Sequence, residues 1–281
     1  MKLATFSIND IVSYGAVVPT GIIDLGRRYH KRHPDLKALL AGRGLDDVRL
    51  HLDDSPDYQV SDVTWLPVIP NPEKIVCVGL NYEDHRVEAG LSATDNPALF
   101  LRTAESQVGH NGAILRPCES DTLDYEAEIA VIIGKQGRRI SQAAAWRHIA
   151  GYSCYNDGSV REWQRHTLQY TAGKNFASTG GFGPWMVTAD EIPPNEPLTL
   201  TCRLNGEVVQ QATTQQMIFS IPRLITYIST FTTLQPGDVI VTGTPAGVGS
   251  RRTPPIWLRP GDEVEVEIDQ VGILRNSVAD D

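Results

Sequence analysis

The sequence predicts a mainly β protein of the α+β class, with a small α/β module at its N-terminus. Two observations lead to this class: short apolar segments separated by turn residues fill most of the chain, and helical patterns are few. A length of 281 residues suits one large domain or two unequal ones. We therefore expect the module over residues 1–66 and a larger domain over residues 70–281.

The N-terminal module contains strand-like segments at Leu3–Ile8, Ala16–Val18 and Ile22–Leu25, followed by a predicted helix at Asp35–Ala41. The next segment, Trp65–Pro72, carries three prolines within six positions. Proline lacks the backbone N–H that a helix interior or a central strand needs, so neither element can continue through this segment. The segment is therefore the predicted boundary between the two parts of the chain.

Alternation of apolar and polar residues predicts most strands of the larger domain. Leu198–Leu204 alternates and is followed by Asn205-Gly206, a typical two-residue hairpin turn. Glu263–Ile268 alternates throughout, as expected for a sheet with one solvent-facing side. Val239–Val241 follows a Pro-Gly-Asp turn and is also predicted to be a strand. The predicted helices are Tyr82–Glu88, Ala143–His148, Ser159–Gln169 and Ile221–Phe231.

Composition and charge argue against several classes of partner. A net charge of −9 at pH 7 disfavours nucleic acid, which binds basic surfaces, and an anionic substrate would need a local cation. No apolar run approaches the roughly 18 residues of a membrane span. The first residues show no secretory signal, so we expect a cytoplasmic protein. The four cysteines, which form no CxxC pair, are predicted to be reduced, buried thiols (Cys77, Cys118, Cys154 and Cys202).

Two glutamates stand at the start of a near-continuous apolar strand that ends at Gly134. Glu126 and Glu128 are two residues apart, so in a strand they point to the same side. Adjacent carboxylates repel each other and burial penalises each charge, and a bound cation relieves both costs. The alternative is a solvent-exposed strand start, in which the two glutamates have no special role.

A third acid, Asp157, lies where the next strand-like segment ends and a predicted helix begins. It would either cap that helix or supply a third oxygen ligand to the two glutamates. Three carboxylates without histidine or cysteine suit Mg²⁺ or Mn²⁺ rather than zinc. Because Mg²⁺ prefers six oxygens, about three positions would remain for water or substrate.

Five segments, in the same order, resemble the fumarylacetoacetate hydrolase family. They are Gly79–His85, Asp124–Glu128, Asn156–Gln164, Gly173–Phe176 and Thr242–Gly249. The resemblance implies the mixed β-roll or sandwich of the family's C-terminal domain, one divalent cation per subunit (Mg²⁺ or Mn²⁺) and a homodimer. It also implies chemistry on 2-oxo acids: hydrolysis of acylpyruvates, decarboxylation of oxaloacetate or enol–keto isomerisation.

The resemblance assigns Glu126, Glu128 and Asp157 as the metal ligands and Lys174 as a catalytic cation that faces the substrate. Four nearby glycines predict that Lys174 lies in a loop. Thr244, in a Gly-rich turn, would offer its hydroxyl and backbone N–H to a substrate carboxylate. Neither segment has a Walker or GxGxxG pattern, so the sequence does not predict nucleotide binding.

Three further residues are assigned as substrate contacts. Arg161 and Gln164 are three residues apart on a predicted helix and so share one face, with a plain surface pair as the alternative. Arg102 stands where lysine is frequent in the family, and Glu162 stands where aspartate is frequent. These departures leave the distal end of the substrate open.

His85 and Glu88 have the spacing of a pair on one helix face. Glu88 would orient the neutral imidazole as a general base and stabilise the imidazolium that forms after proton transfer. Such a pair is commonly found on helix surfaces without a function. Its position after Asn81-Tyr82 favours a catalytic role, because the hydrolases and decarboxylases of the family carry this dyad on a mobile lid.

The sequence therefore predicts a metal-dependent hydrolase that cleaves a C–C bond of an acylpyruvate, such as maleylpyruvate or fumarylpyruvate, and releases pyruvate. His85 would deprotonate the attacking water, while the metal and Lys174 would stabilise the enolate leaving group. Oxaloacetate decarboxylation and enol–keto isomerisation of the 2-hydroxymuconate type are alternatives at the same site. A non-catalytic binding protein of this fold is the third alternative. The expected partner is a small 2-oxo acid, with neither nucleic acid nor membrane.

Overall fold

The computed structural model describes residues 1–281 and contains two main sheets with short helices around them. The strands are β1 (Lys2–Ile8), β2 (Ile11–Val18), β3 (Gly21–Asp24), β4 (Thr64–Trp65), β5 (Ile75–Gly79), β6 (Ala98–Arg102), β7 (Gln107–Val108), β8 (Ile114–Arg116), β9 (Leu123–Asp124), β10 (Ala127–Ile133), β11 (Ile149–Asn156), β12 (Ser159–Val160), β13 (Gly180–Thr188), β14 (Thr199–Leu204), β15 (Glu207–Thr213), β16 (Val239–Val241), β17 (Glu263–Ile268) and β18 (Gly272–Asp280). The α-helices are α1 (Leu25–Tyr29), α2 (Leu36–Ala41), α3 (Leu45–Arg49), α4 (Glu83–Ala89), α5 (Gln142–Ala145), α6 (Arg161–Gln164), α7 (Thr171–Lys174) and α8 (Ile221–Phe231). The predominance of strands agrees with the predicted class.

The larger sheet has 11 strands, with the main order β3-β2-β1-β13-β11-β10-β16-β5-β6. The smaller sheet has five strands in the order β15-β14-β17-β18-β8. At the centre of the larger sheet, β10 pairs with β11 on one side and with β16 on the other. All residues of β10 and β11 are buried, which explains their near-continuous apolar sequence.

The alternating side chains of β10 enter two different cores. Ile129 and Val131 pack in the cluster that includes residues of the smaller sheet and of α8. Ala130 and Ile132 pack in a second cluster, together with Leu36 and other residues of the N-terminal module. The larger sheet is therefore covered on one face by the smaller sheet and α8, and on the other by the N-terminal helices.

The predicted strands of the N-terminal module are present, although β2 begins earlier than expected. The predicted helix corresponds to α2, whose first turn is capped by the side chain of Asp35 accepting from Ala38 N. Helices α1 and α3 were not predicted, since five residues are too short to show a periodic pattern. β1 pairs with β13, so the module continues the sheet of the later residues. The division of the chain at residues 66–70 stays a prediction.

The predicted hairpin and three of the four predicted helices of the larger domain are confirmed. β14 and β15 pair around Asn205-Gly206, and both turn residues have the positive φ that such a turn requires. α4 and α8 correspond to two of the predicted helices, while the third forms as α5 followed by one 3₁₀ turn to His148.

The predicted helix Ser159–Gln169 is wrong over most of its length. Ser159 and Val160 form the short strand β12 with β9, and the helix α6 contains only Arg161–Gln164. Asp157 does not cap a helix, because its carboxylate binds two buried cations instead. The segment after Gln164 consists of turns before α7 begins.

The cysteines are all unpaired, but only three of them are buried. Cys118 is exposed, in contrast to the prediction for all four. No helix of this structure has the length and apolar character needed to cross a membrane.

Candidate active site

The two predicted glutamates and Asp157 meet at one end of the β10–β11 pair. Because Ala127 pairs with Asn156 across these antiparallel strands, Glu126 and Asp157 lie just beyond the two facing strand ends. The backbone N–H of Asp157 donates to the carbonyl of Glu126 at 2.8 Å, which fixes the approach. One carboxylate oxygen from each of the three acids lies within 4.8 Å of the others, and all three residues are buried.

A buried lysine is bound to two of these carboxylates. Lys174 Nζ lies 2.5 Å from Glu126 Oε2 and 2.7 Å from Asp157 Oδ2, and its side chain is 2% exposed. Lys174 is the last residue of the short helix α7, not part of a loop as predicted. Gly173 allows this helix to approach α6 closely, because a Cβ at this position would lie 2.3 Å from Gln164 N.

The three carboxylates differ strongly in their electrostatic environment. Burial alone would raise the pKa of Glu126, but Arg161 and Lys174 hold it at about 2. Burial, together with the charges of Asp157 and Glu126, raises the pKa of Glu128 well above its ordinary value. Glu128 accepts a hydrogen bond from Gly243 N and forms no ion pair. The cluster thus contains a buried carboxylate for which the chain provides no cation of its own.

This donor set fits a hard divalent cation. The acids offer only oxygen ligands, they lie close together, and the mutual repulsion of Glu128 with its neighbours would be relieved by a positive ion. Lys174 Nζ already occupies a position between two of the acids where a positive charge is stabilised. Glu126, Glu128 and Asp157 are therefore the residues that would hold the ion, and their assignment as ligands stays a prediction.

Arg102 lies behind Asp157 and not at the cavity surface. Its guanidinium donates to Asp157 Oδ1 at 2.6 Å, to the Gly158 carbonyl at 2.8 Å and to Thr179 Oγ1 at 2.9 Å. Two further bonds reach the side chain and carbonyl of Ser106. With its side chain 0% exposed, Arg102 is arranged to hold Asp157 in place, whereas its predicted contact with substrate has no support in this geometry.

Arg161 and Gln164 lie on one side of α6, as their spacing predicts, with Arg161 Nη1 3.0 Å from Gln164 Oε1. Arg161 also binds Glu126 Oε1 at 2.6 Å and Asp124 Oδ2 at 2.7 Å. Its Nη2 atom is buried and has no hydrogen-bond partner. Arg161 therefore supports a metal-ligand candidate and still has one guanidinium nitrogen available for a bound anion.

Asp124 connects parts of the candidate site and was not predicted as a site residue, although it stands in the quoted motif. Its fully buried carboxylate binds Arg161 and accepts hydrogen bonds from Gly249 N at 2.8 Å and Ser250 N at 2.9 Å. It thereby ties α6 to the loop that follows Thr242. The available signal was a third acid beside Glu126 and Glu128 at the start of a buried strand.

His85 and Glu88 form the predicted pair on α4. His85 Nδ1 lies 3.1 Å from Glu88 Oε2, and Glu88 Oε1 accepts from Gly247 N at 3.0 Å. Burial would raise the pKa of Glu88, but the bonds from His85 and Gly247 lower it. Glu88 is therefore held as a carboxylate that orients the imidazole of His85.

Thr244 is fixed by a buried glutamine that was not predicted. Thr244 Oγ1 donates to the Ala127 carbonyl at 2.9 Å and accepts from Gln210 Nε2 at 2.9 Å. Gln210 Oε1 accepts in turn from Ala127 N at 2.9 Å. Continuing the alternation of the β15 strand would have placed Gln210 on the inner face beside Ala212.

One cavity of about 190 Å³ brings most of these groups together. Its small volume suits a small metabolite rather than a drug-sized ligand. Seven of the ten predicted site residues line it: His85, Glu126, Glu128, Arg161, Gln164, Lys174 and Thr244. Glu88 and Asp157 lie behind the lining residues His85 and Lys174, which they contact, and Arg102 lies behind Asp157. The remaining lining includes Arg165, Tyr170 and Arg251, which were not predicted.

Comparison with known sequences identifies the family of this site. Residues 74–279 match a family model described as Fumarylacetoacetate (FAA) hydrolase C-terminal. The chain belongs to the fumarylacetoacetate hydrolase family. This match confirms the predicted resemblance, over nearly the same residues as the motifs on which the prediction was based. It also confirms the predicted fold class.

Relatives in the fumarylacetoacetate hydrolase family have different activities. Oxaloacetate tautomerase FAHD2A, mitochondrial, from Bos taurus is 44% identical over 220 residues, which cover 78% of this chain and 70% of that protein. A fumarylacetoacetate hydrolase from psychrophilic Exiguobacterium antarcticum is 34% identical, with a TM-score of 0.88 and full coverage of both chains. A maleylpyruvate hydrolase from Sphingobium sp. SYK-6, solved with manganese(II) and pyruvate, is 27% identical, with a TM-score of 0.83 over 100% of this chain and 99% of that one.

These relatives bear on three predictions. The relatives are named as enzymes, which include hydrolases and a tautomerase, and one of them holds manganese. Acylpyruvate hydrolysis is not favoured over the predicted alternatives, because the tautomerase is the more similar in sequence. The cytoplasmic location stays a prediction, since the tautomerase is described as mitochondrial.

Proposed function

We propose that the protein catalyses the enol–keto interconversion of a short 2-oxo acid of the oxaloacetate class, with a divalent cation held by Glu126, Glu128 and Asp157. The observation that carries this proposal is the acidic cluster at a small cavity that also contains Lys174 and His85. The 44% identity to an oxaloacetate tautomerase favours this reaction over the other reactions of the family.

The reaction moves one proton and changes no other atoms. The C3–H bond of the keto form breaks, its electron pair becomes the C2–C3 double bond, and the 2-oxo oxygen gains a proton. When bound, the divalent cation supplies Lewis-acid polarisation of the 2-oxo group. The tasks that remain for the protein are to bind the carboxylate, to stabilise the negative charge that develops on the oxygen and to transfer the proton.

Lys174 and Arg161 provide the positive charge for the developing oxyanion. Burial would lower the pKa of Lys174, but Asp157 and Glu126 raise it, so that the amine stays protonated. Arg161 and Gln164 both line the cavity, and the Nη2 atom of Arg161 has no hydrogen-bond partner within the protein, so we assign these two side chains to substrate binding. Because these groups are fixed by neighbouring ion pairs, they need little rearrangement during the reaction.

His85 is the proposed proton carrier. It lines the cavity, and Glu88 binds one ring nitrogen, so the other is available for substrate. A neutral imidazole accepts the C3 proton, and the carboxylate of Glu88 stabilises the imidazolium until the proton returns to the oxygen. Acylpyruvate hydrolysis is the second candidate function. The His85–Glu88 hydrogen bond favours it, because the same oriented ring could instead deprotonate an attacking water.

The decay of enol-oxaloacetate absorbance tests the first function. We expect the protein with Mg²⁺ or Mn²⁺ to accelerate this decay without releasing pyruvate, whereas a decarboxylase would release it. Glu128→Gln should reduce the rate to that of metal ion alone. Decay no faster than with free metal would refute the proposal, and pyruvate release from an acylpyruvate would then favour the second function.

Substitution of His85 tests the assigned proton transfer. His85→Ala should lower kcat by about 100-fold or more, because general acid–base catalysis contributes 10²–10⁴-fold, while KM changes little. Glu88→Gln should lower kcat less, since it retains the hydrogen bond but not the charge. Val87→Ala, at an exposed position of the same helix outside the cavity lining, serves as the control. Equal effects of His85→Ala on kcat and on the binding of pyruvate would assign His85 to binding instead.

A further inference from the structure

We propose that Arg165 and Arg251 form a second anion site at the outer part of the cavity, which holds the distal carboxylate of a dicarboxylate substrate. This inference rests on the proposed function, since it specifies which 2-oxo acids the site would accept. Neither arginine was predicted from the sequence, and both line the cavity with Lys174 and Glu126.

The two arginines differ from the other cations of the cavity because neither forms a close ion pair with a carboxylate. Arg161 and Lys174 each form two ion pairs with buried acids. Arg165 and Arg251 form no ion pair within 4.0 Å, although Asp124 acts on Arg165, and Glu88 on Arg251, at longer range. The side chain of Arg165 donates no hydrogen bond, and that of Arg251 donates one, to the Ala89 carbonyl at 3.3 Å. Both guanidinium groups therefore retain most of their donors for a ligand.

The two arginines are also close enough to affect each other. Burial, and then the charges of Arg161 and Arg251, lower the pKa of Arg165, and the smaller effect of Asp124 does not offset them. Such a concentration of like charge is unfavourable without a counter-ion, and a carboxylate between the two guanidinium groups would relieve it. In a protein with a net charge of −9, this local positive charge would also attract an anionic substrate.

The position of the pair suits a short diacid. Arg165 follows α6 directly, four residues after Arg161, so the two lie about 6 Å apart along the helix axis. Arg251 ends the 3₁₀ turn Gly249–Arg251, whose first two N–H groups bind Asp124. Asp124 also binds Arg161, so one buried carboxylate holds both segments that carry the arginine pair in a fixed relation to the acidic cluster.

Binding of two matched hydroxy acids to the Mn²⁺-loaded protein tests this site. Malate has a distal carboxylate, and 2-hydroxybutanoate has a methyl group in its place. We expect malate to bind about tenfold or more tightly than 2-hydroxybutanoate in calorimetry, which is the effect of one or two charge-assisted hydrogen bonds. The double variant Arg165→Ala/Arg251→Ala should lose this preference and bind 2-hydroxybutanoate within about twofold of the wild type.

Two controls separate a local effect from a change in net charge. Arg138→Ala removes an exposed arginine outside the cavity and should leave the preference unchanged. Arg165→Lys keeps the charge but loses the planar guanidinium, so part of the preference should remain. A preference that survives in the double variant, or that is absent from the wild-type protein, would overturn the proposal.

A kinetic comparison distinguishes this inference from the proposed function. For oxaloacetate and its 4-ethyl ester, the double variant should lower kcat/KM for the diacid by about tenfold or more and leave the ester unchanged. Equal losses for both substrates would contradict a site for the distal carboxylate. If the wild-type protein does not act on either compound, the proposed function fails, but the malate preference still decides whether the arginine site exists.

Discussion

Arg102 Nη1 lies 2.6 Å from Asp157 Oδ1, and neither side chain is exposed. The other oxygen of Asp157 is bound to Lys174 at 2.7 Å. Asp157 thus has a permanent cation on one oxygen, while its second oxygen faces the ammonium at the acidic cluster. Each oxygen of this carboxylate, which has 0% exposure, therefore has a cationic partner that fixes its orientation.

Removal of Arg102 should destabilise the metal-free protein. We expect Arg102→Met to lower the free energy of unfolding by about 3–5 kcal/mol, because breaking a buried pair leaves an uncompensated charge. The double variant Arg102→Met/Asp157→Asn should be more stable than Arg102→Met, since both charges are then removed. Urea denaturation of the wild-type protein, the two single variants Arg102→Met and Asp157→Asn, and the double variant measures this coupling. Additive effects of the two substitutions would show that the pair contributes nothing as a pair.

Loss of charge at Glu128 and at Glu126 should weaken metal binding in both cases but affect stability differently. Glu128→Gln should weaken Mn²⁺ binding by at least about tenfold, because one of three anionic ligands is lost. It should not lower the stability of the metal-free protein, since Glu128 has no ion pair and a raised pKa. Glu126→Gln should weaken Mn²⁺ binding and also destabilise, because it breaks contacts with Lys174 and Arg161. Calorimetry and denaturation check both effects, and equal destabilisation by the two substitutions would contradict this distinction.

The metal-ligand candidates could be predicted from the sequence because their arrangement depends on local geometry. Glu126 and Glu128 share a side of one strand, and the partner strand that precedes Asp157 follows next in the chain. The hairpin at Asn205-Gly206 was predictable for the same reason, since two residues specify the turn. The helix predicted after Asp157 is wrong because the N-cap pattern ignores that a distant arginine and lysine bind this carboxylate.

Other parts of the site depend on contacts between residues far apart in the chain. Asp124 binds the N–H groups of Gly249 and Ser250, which are more than 120 positions away. Arg251 follows directly after these two residues and lines the cavity. No local spacing encodes such a relationship, so the sequence could show that these residues were polar but not that they meet.

Gln210 offers a test of the contacts that fix Thr244. Gln210→Ala leaves Ala127 N without its acceptor and removes two donated bonds, to Thr244 Oγ1 and the Pro245 carbonyl. We expect a loss of about 2–4 kcal/mol in the free energy of unfolding, because unsatisfied buried groups cost about 1–3 kcal/mol each. The neighbouring Gln211→Ala, on the exposed face of the same strand, should have little effect. A stable Gln210→Ala protein would mean that water replaces these bonds without loss.

His110 should make the stability of the protein depend on pH below neutrality. Its ring packs edge-on against Trp65, and Nδ1 accepts a hydrogen bond from Arg275 N at 3.0 Å, which protonation would break. Burial, and then the charge of Arg275, lower the pKa of His110 to about 4. In the unfolded chain this histidine has an ordinary pKa near 6.5, so between pH 6.5 and 4 the unfolded chain binds more protons than the folded protein. The free energy of unfolding therefore falls as the pH is lowered through this range. The variant His110→Asn tests this, because asparagine retains an acceptor but does not titrate. Between pH 7 and pH 5 the free energy of unfolding of the wild-type protein should fall by about 1–2 kcal/mol more than that of the variant. This value includes a reduction for the partial exposure of the ring. His30→Asn, which removes an exposed histidine, serves as the control. Equal losses of unfolding free energy in the wild-type protein and in His110→Asn would refute the assignment of this pH dependence to His110, because all other titrating groups are common to both proteins.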